Sequence, residues 1–156
     1  MQLADLLSPA CTTCSMQAAS KKRVLELIAH HLAECAPELA SSEVFDSLIG
    51  RERLGSTGLG NGVALPHGRI TGLERAVAMF VKLAEPIDFD AIDARPVDLI
   101  FALLVPEHFT DEHLQILSLA AEMFSDEVLC GALREAADDA ELFAQLMAWA
   151  PPGETP

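Results

Sequence analysis

The chain has 156 residues, 51% of them hydrophobic, and a formal net charge of −14. That length suits one compact domain with a real core, and that composition is globular rather than disordered. The negative balance argues against nucleic acid and anionic membrane as partners, because each needs a basic face to meet its phosphates.

No apolar run reaches the roughly 20 residues of a membrane span. The opening MQLADLLSPACTTC has no basic residue ahead of its apolar part and makes a poor signal peptide. The expectation is a cytoplasmic protein without membrane insertion. Its acidity either steers it to basic protein surfaces or only keeps it soluble. Of the four cysteines, Cys11 and Cys14 form a CxxC pair. Without a secretion signal no disulfide is expected. Zinc would need four ligands, and no second CxxC or paired Cys/His completes a set. His30 and His31 are adjacent, so on a helix they diverge and do not chelate together.

Lys21–Glu34 reads as a helix: Val24, Ile28 and Leu32 recur every four residues, Ser20 offers an N-cap, and Pro37 stops the pattern. A second helix begins near Ser41 or Ser42, carries Val44, Phe45, Leu48 and Ile49, and runs through Arg51 into a glycine-rich loop. Val63–Leu65 is a brief strand ended by Pro66. Ala76–Leu83 and Val97–Val105 are strands, and the second is apolar enough to be covered on both faces. The intervening EPIDFDAIDARP is a loop with room for a short extended piece. Thr110 is placed to cap a helix with Asp111 and Glu112 in its first turn and Leu114, Leu117, Ala121 and Phe124 as its buried stripe. Short helices over Asp126–Ala136 and Asp138–Trp149 complete the chain. Residues 1–150 read as one α/β layered domain, with 151–156 a frayed tail.

The chemistry concentrates in GSTGLGNGVALPHG, Gly55–Gly68. Glycines there open positive φ and let backbone approach a ligand, and their N–H groups can form an anion-binding concavity. The loop lacks the Gly-Lys-Ser/Thr of a Walker motif and the spacing of a dinucleotide fingerprint. His67 follows Pro66 and would sit at a strand's carboxyl end. A nucleophilic histidine needs one neutral, open nitrogen and a partner on the other. The alternative is a histidine that merely caps a turn. Two further groups suit a phosphoryl oxygen. His113 lies in the first turn of the Thr110 helix, where the dipole favours neutral imidazole. Arg51 carries a fork of donors. Taken alone, His113 could equally face solvent, and Arg51 could pair with Glu52 or Glu43 on the surface.

At this point three segments resemble one family. RERLGSTGLGNGVALPHG (Arg51–Gly68), PIDFDAIDARPVDLIFALLVP and HLQILSLAAEMFSD are similar to the IIA components of mannitol/fructose type in the bacterial phosphoenolpyruvate-dependent phosphotransferase system, and above all to its stand-alone nitrogen-regulatory branch. The resemblance runs from about Leu3 to Trp149. It implies a small mixed β-sheet with helices on both faces. It also implies that His67 is phosphorylated on Nε2, that His113 is the second active-site histidine, and that Arg51 is the phosphate-binding base. The implied donor is an HPr-like histidine phosphocarrier charged by enzyme I. The implied targets are regulatory partners, potassium-transport and sensor-kinase proteins among them. No cofactor or metal is implied, and transfer would be stoichiometric rather than a turnover. Arg53 and Arg69 stand where the family often has lysine.

Three other readings compete. A sugar-specific IIA would pass the phosphoryl group to a IIB domain, but the chain carries no fused IIB segment. A binding module that had lost phosphotransfer would not need His67, His113 and Arg51 intact. A metal-dependent hydrolase would need a third ligand.

Overall fold

The computed structural model describes residues 6–108 and 111–149, with the backbone alone at position 112. The expected cap at Thr110 and the tail at 151–156 lie outside the described residues. Among these, six strands form one mixed sheet: β1 (Thr12–Met16), β2 (Gly58–Gly60), β3 (Val63–Ala64), β4 (His67–Ile70), β5 (Val77–Ile87) and β6 (Val97–Pro106). The order is β1-β5-β6-β3-β2, and β4 also pairs with β6. β5 and β6 are antiparallel, whereas β1 runs parallel to β5, and β3 and β4 run parallel to β6.

Alternation along the strands divides the core in two. On one face Met79, Val81, Leu83, Ile100, Ala102 and Leu104 meet α1 (Lys21–Cys35) and α2 (Ser41–Arg53). On the other, Ala78, Phe80, Leu99, Phe101, Leu103 and Val105 meet α3 (Asp111–Phe124), α4 (Glu127–Glu135) and α5 (Asp139–Ala148). β6 is therefore apolar at nearly every position because both of its faces are covered. Phe124 stacks on Phe80 with ring centroids 5.5 Å apart. The α/β sheet with helices on both faces is the expected architecture. No described helix is long and apolar enough to cross a membrane.

The helix ends follow local chemistry. Ser20 accepts from the Arg23 N–H at 3.2 Å and caps α1. Asp126 caps α4 and Asp138 caps α5 in the same way. Lys82, on β5, donates to the carbonyls of Arg134 and Ala136 at the carboxyl end of α4, where a cation suits the dipole.

The structure differs from the sequence reading along the chain. The segment around CTTC forms a strand, β1, that the sequence reading does not place. β5 continues to Ile87 and takes up the short extended piece of the EPIDFDAIDARP segment. The most buried residues of α3 are Ile116, Ala120, Met123 and Phe124; Leu117 and Ala121 of the expected stripe pack on the same core, while Leu114 is 53% exposed. Finally, Cys11 and Cys35 are joined by a disulfide, with Cα atoms 6.5 Å apart. The last residue of α1 packs on the short 3₁₀ turn Pro9–Cys11 that leads into β1. Cys14 does not partner Cys11: it lies in β1 and packs against the opposite core, while Cys11 ends the 3₁₀ turn on the α1 side.

Candidate active site at the edge of the sheet

β3 and β4 are one strand interrupted at Leu65–Pro66. Val63 pairs with Leu99 and His67 with Leu103, the same offset on both sides of the break. Pro66 has no N–H to donate, but its carbonyl still accepts from Leu103 N at 3.0 Å. His67 is thus the first residue of β4, not the carboxyl end of a strand, because the proline interrupts the ladder without turning the chain.

Gly68 and Ile70 face α1 and α2, so alternation sends His67 and Arg69 toward the face that carries α3. Gly68 lies where α2 crosses β4. A Cβ there would overlap Ser47 Oγ and come within 3.2 Å of the Ser47 backbone carbon. Ser47 Oγ also donates to the Arg69 carbonyl at 2.8 Å, which fixes α2 against the strand.

The imidazole is half-buried. Its Nδ1 lies 2.8 Å from the Leu65 carbonyl oxygen. A carbonyl can only accept, so Nδ1 carries the proton, and in the neutral ring Nε2 keeps its lone pair. The pKa of His67 lies below the ordinary 6.5. Burial is the largest cause; the Leu65 bond opposes it, the Arg51 cation lowers it further, and the Glu52 carboxylate raises it. The neutral form therefore dominates at pH 7.

Arg51 stands in the last turn of α2 and donates from Nη1 to the Gly55 carbonyl at 2.9 Å. Glu52 is no surface partner for it, being 5% exposed and paired with Lys21 at 3.1 Å. Ser47, Arg51, Leu54, His67, Gly68, Arg69 and Val105 line an open hollow of about 350 Å³. Leu54, 85% exposed, gives it an apolar lip. The structure thus brings Arg51 and His67 together. His113 stands half-buried in the first turn of α3, on the face toward which His67 points, but is not among the residues lining the hollow. Among the described residues no group of three or more His, Cys, Asp or Glu could hold a metal ion.

The glycine loop does not present a bare anion cradle. Thr57 N donates to Glu52, Gly58 N to Ser56 Oγ, and Asn61 N to Asp93, at 2.9, 3.0 and 2.8 Å. The loop instead shapes the β2–β3 turn. Gly62 adopts φ +81° there, and Arg134 packs over it from α4, bonded to Asp98 and to the Asn61 carbonyl. Those occupied amides leave the anion-binding work to side chains.

A pH profile checks the electrostatics. The neutral His67 ring should give way to the protonated form with a midpoint below the ordinary 6.5. Arg51→Gln removes a cation that lowers the pKa, so its profile should fall at higher pH. An NMR titration of the His67 ring between pH 5 and 8 would read this, and coincident profiles would contradict it.

Known proteins match nearly the whole length of the chain. The family described as "Phosphoenolpyruvate-dependent sugar phosphotransferase system, EIIA 2" matches residues 5–148. The Nitrogen regulatory protein of Klebsiella oxytoca is 48% identical over 144 residues, 92% of this chain and 88% of that one. Its namesake in Escherichia coli is 47% identical over the same shares. The crystal structure of Nitrogen Regulatory Protein IIA-Ntr from Neisseria meningitidis superposes with a TM-score of 0.85 at 42% identity, covering 92% of this chain and 98% of that one. IIA mannitol from Escherichia coli, at 20% identity, shares the fold with a TM-score of 0.75 over 90% of this chain and 98% of that one.

Proposed function

The chain belongs to the EIIA type 2 family of the phosphoenolpyruvate-dependent sugar phosphotransferase system, and from that premise we propose that it is a phosphohistidine carrier and regulator of the nitrogen-related branch. His67 accepts the phosphoryl group on Nε2 from an HPr-like histidine phosphocarrier, and the phosphorylation state controls partner proteins in the cytoplasm. Residues 1–150 act as one unit. The observation that carries this reading is the Nδ1–H bond to Leu65 beside Arg51 in one open hollow.

The chemistry follows from that bond. Nε2 attacks phosphorus while the donor's P–N bond breaks and the donor imidazole leaves. His67 becomes an N-phosphorylated ring with its Nδ1–H still in place. Positive charge develops on that ring, and the Leu65 carbonyl already faces it. Arg51 donates to the phosphoryl oxygens, and His113, on the facing α3 but outside the lining of the hollow, is assigned a further hydrogen bond to them once the group is bound. Exchange between two phosphohistidines is nearly balanced, so the protein's part is positioning and charge stabilisation. Phosphorylation adds about two negative charges to an acidic surface, which changes docking on a basic partner. The regulatory relatives, at 47–48% identity over nine-tenths of the chain, support regulation over sugar uptake.

The test charges the protein from phosphoenolpyruvate through enzyme I and an HPr-like carrier, then offers purified mannitol or fructose IIB. The label is expected to stay on this protein and to return to the carrier. Rapid discharge onto IIB would place it among sugar-specific components.

A further inference from the structure

Among the described residues only three polar or charged side chains are buried: Thr12, Glu52 and Thr57. Two of them bond to each other. Glu52 follows Arg51 in α2, yet neither Glu52 nor Thr57 lines the hollow at His67. A carboxylate that is 5% exposed is tolerated only when its oxygens are fully engaged, and here they are. Oε1 accepts from Thr57 N at 2.9 Å and from Lys21 Nζ at 3.1 Å, and Oε2 accepts from Thr57 Oγ1 at 2.6 Å. Lys21 is itself held: it also pairs with Asp90 at 3.2 Å and lies 5.0 Å from the centre of the Phe89 ring.

The bonds continue toward the site. The Thr57 carbonyl accepts from Leu65 N at 3.0 Å. The Leu65 carbonyl accepts from His67 Nδ1 at 2.8 Å. One sequence of contacts thus runs from the first turn of α1, through Glu52, Thr57 and Leu65, to the face of the imidazole that does not react. Leu65 cannot be held from its other side by the usual ladder, because Pro66 follows it and contributes no donor. The Leu65–Pro66 peptide, lacking an N–H, is held through its two neighbours: the Leu65 N–H on the Thr57 carbonyl before it, and the Pro66 carbonyl on Leu103 N at 3.0 Å after it.

We propose that Glu52, acting through Thr57, is a positioning residue that fixes the Leu65 carbonyl and thereby the reactive tautomer of His67. An imidazole that loses that acceptor also populates the form with the proton on Nε2, which cannot attack through that atom. The carboxylate has a second effect of known sign. Its negative charge opposes the Arg51 cation at His67 and keeps Nε2 more basic than burial alone would leave it. The charged and titratable groups around His67 are Arg51 and Glu52 on α2 and Arg69 on β4, with His113 on the facing α3.

This inference rests on the carrier reading for its rate measurements, but not for its spectroscopy. With ¹⁵N-labelled histidine, the ring nitrogens of His67 report tautomer and pKa directly. The wild-type protein should show a single tautomer protonated on Nδ1. Thr57→Val removes Oγ1 while keeping the backbone N–H. It should give mixed tautomers and slow transfer at saturating donor by roughly ten- to a hundredfold, with the donor concentration at half-saturation little changed. Thr57→Ser should restore both. Glu52→Gln, of nearly the same size, should lower the His67 pKa further, the opposite direction to Arg51→Gln, and it carries the test alone if the valine variant fails to fold. An unaltered tautomer and pKa in these variants would overturn the proposal. A wild-type protein that takes no phosphoryl group, yet whose tautomer responds, would remove the carrier reading and leave the positioning role standing.

Discussion

His67→Ala should take up no label from phosphoenolpyruvate, enzyme I and an HPr-like carrier, under conditions in which the wild-type chain approaches one phosphoryl group per molecule. The loss is complete because nothing else in the hollow is a nucleophile of the right kind: Ser47 is committed to the Arg69 carbonyl, and Arg51 is a cation. The wild-type label should be lost in acid and survive alkali, as a P–N bond does. The substitution should hardly disturb the fold. A half-buried ring with a single hydrogen bond at the sheet edge contributes about 1 kcal/mol. The corresponding fall in Tm is about 2–4 °C for a chain of this size. Label that persists at the wild-type rate in this variant would move the acceptor elsewhere.

Gly68→Ala should lower stability and transfer together. The added methyl meets Ser47 Oγ, and rotating that hydroxyl away does not suffice, since Ser47 Cβ at 3.0 Å and its carbonyl carbon at 3.2 Å remain too close. Either β4 leaves β6 or α2 lifts from the sheet. Overpacking of this kind costs about 1–3 kcal/mol. The second response carries Arg51 away from His67, so the rate should fall beyond what lost folded protein explains. Denaturant titration and single-turnover labelling at matched folded fraction separate the two effects. Ser47→Gly in the same chain should recover most of the stability, with coupling between the two sites measured by a double-mutant cycle. Wild-type stability in the single variant would mean that α2 yields more easily than its bond from Ser47 to Arg69 suggests.

Those expectations draw unequally on the sequence. β5 and β6 are legible because a strand buried on both faces is apolar without gaps, and α1 because its repeat and its Ser20 cap agree. Proline, histidine and glycine in succession mark the site, and Arg51 is drawn to it by the end of α2. β1 is different. TTCSM is short and half polar, and what makes it a strand is a parallel partner, β5, more than sixty residues onward. Local pattern carries no trace of such a pairing. The stripe of α3 is legible at Leu117, Ala121 and Phe124 but not at Leu114, which fits helical spacing as well as Ile116 does, and only packing against the sheet decides between them. The glycine loop misled in a further way. Its composition advertises free amides, whereas Glu52, Ser56 and Asp93 occupy them. Glu52 itself looked like an ordinary surface acid, because nothing in its neighbourhood of sequence announces Lys21 thirty-one residues earlier.

The unbroken register on both sides of Pro66 has a consequence for how such a site meets another molecule. The His67 ring is carried by a residue of the hydrogen-bonded sheet, not by a loop. For the ring itself, little conformational entropy would remain to be surrendered in the proposed transfer. On the proposed function, shielding of the transferring group from solvent falls to the incoming carrier, and the exposed rim at Leu54 is the surface on which its fit would complete the enclosure.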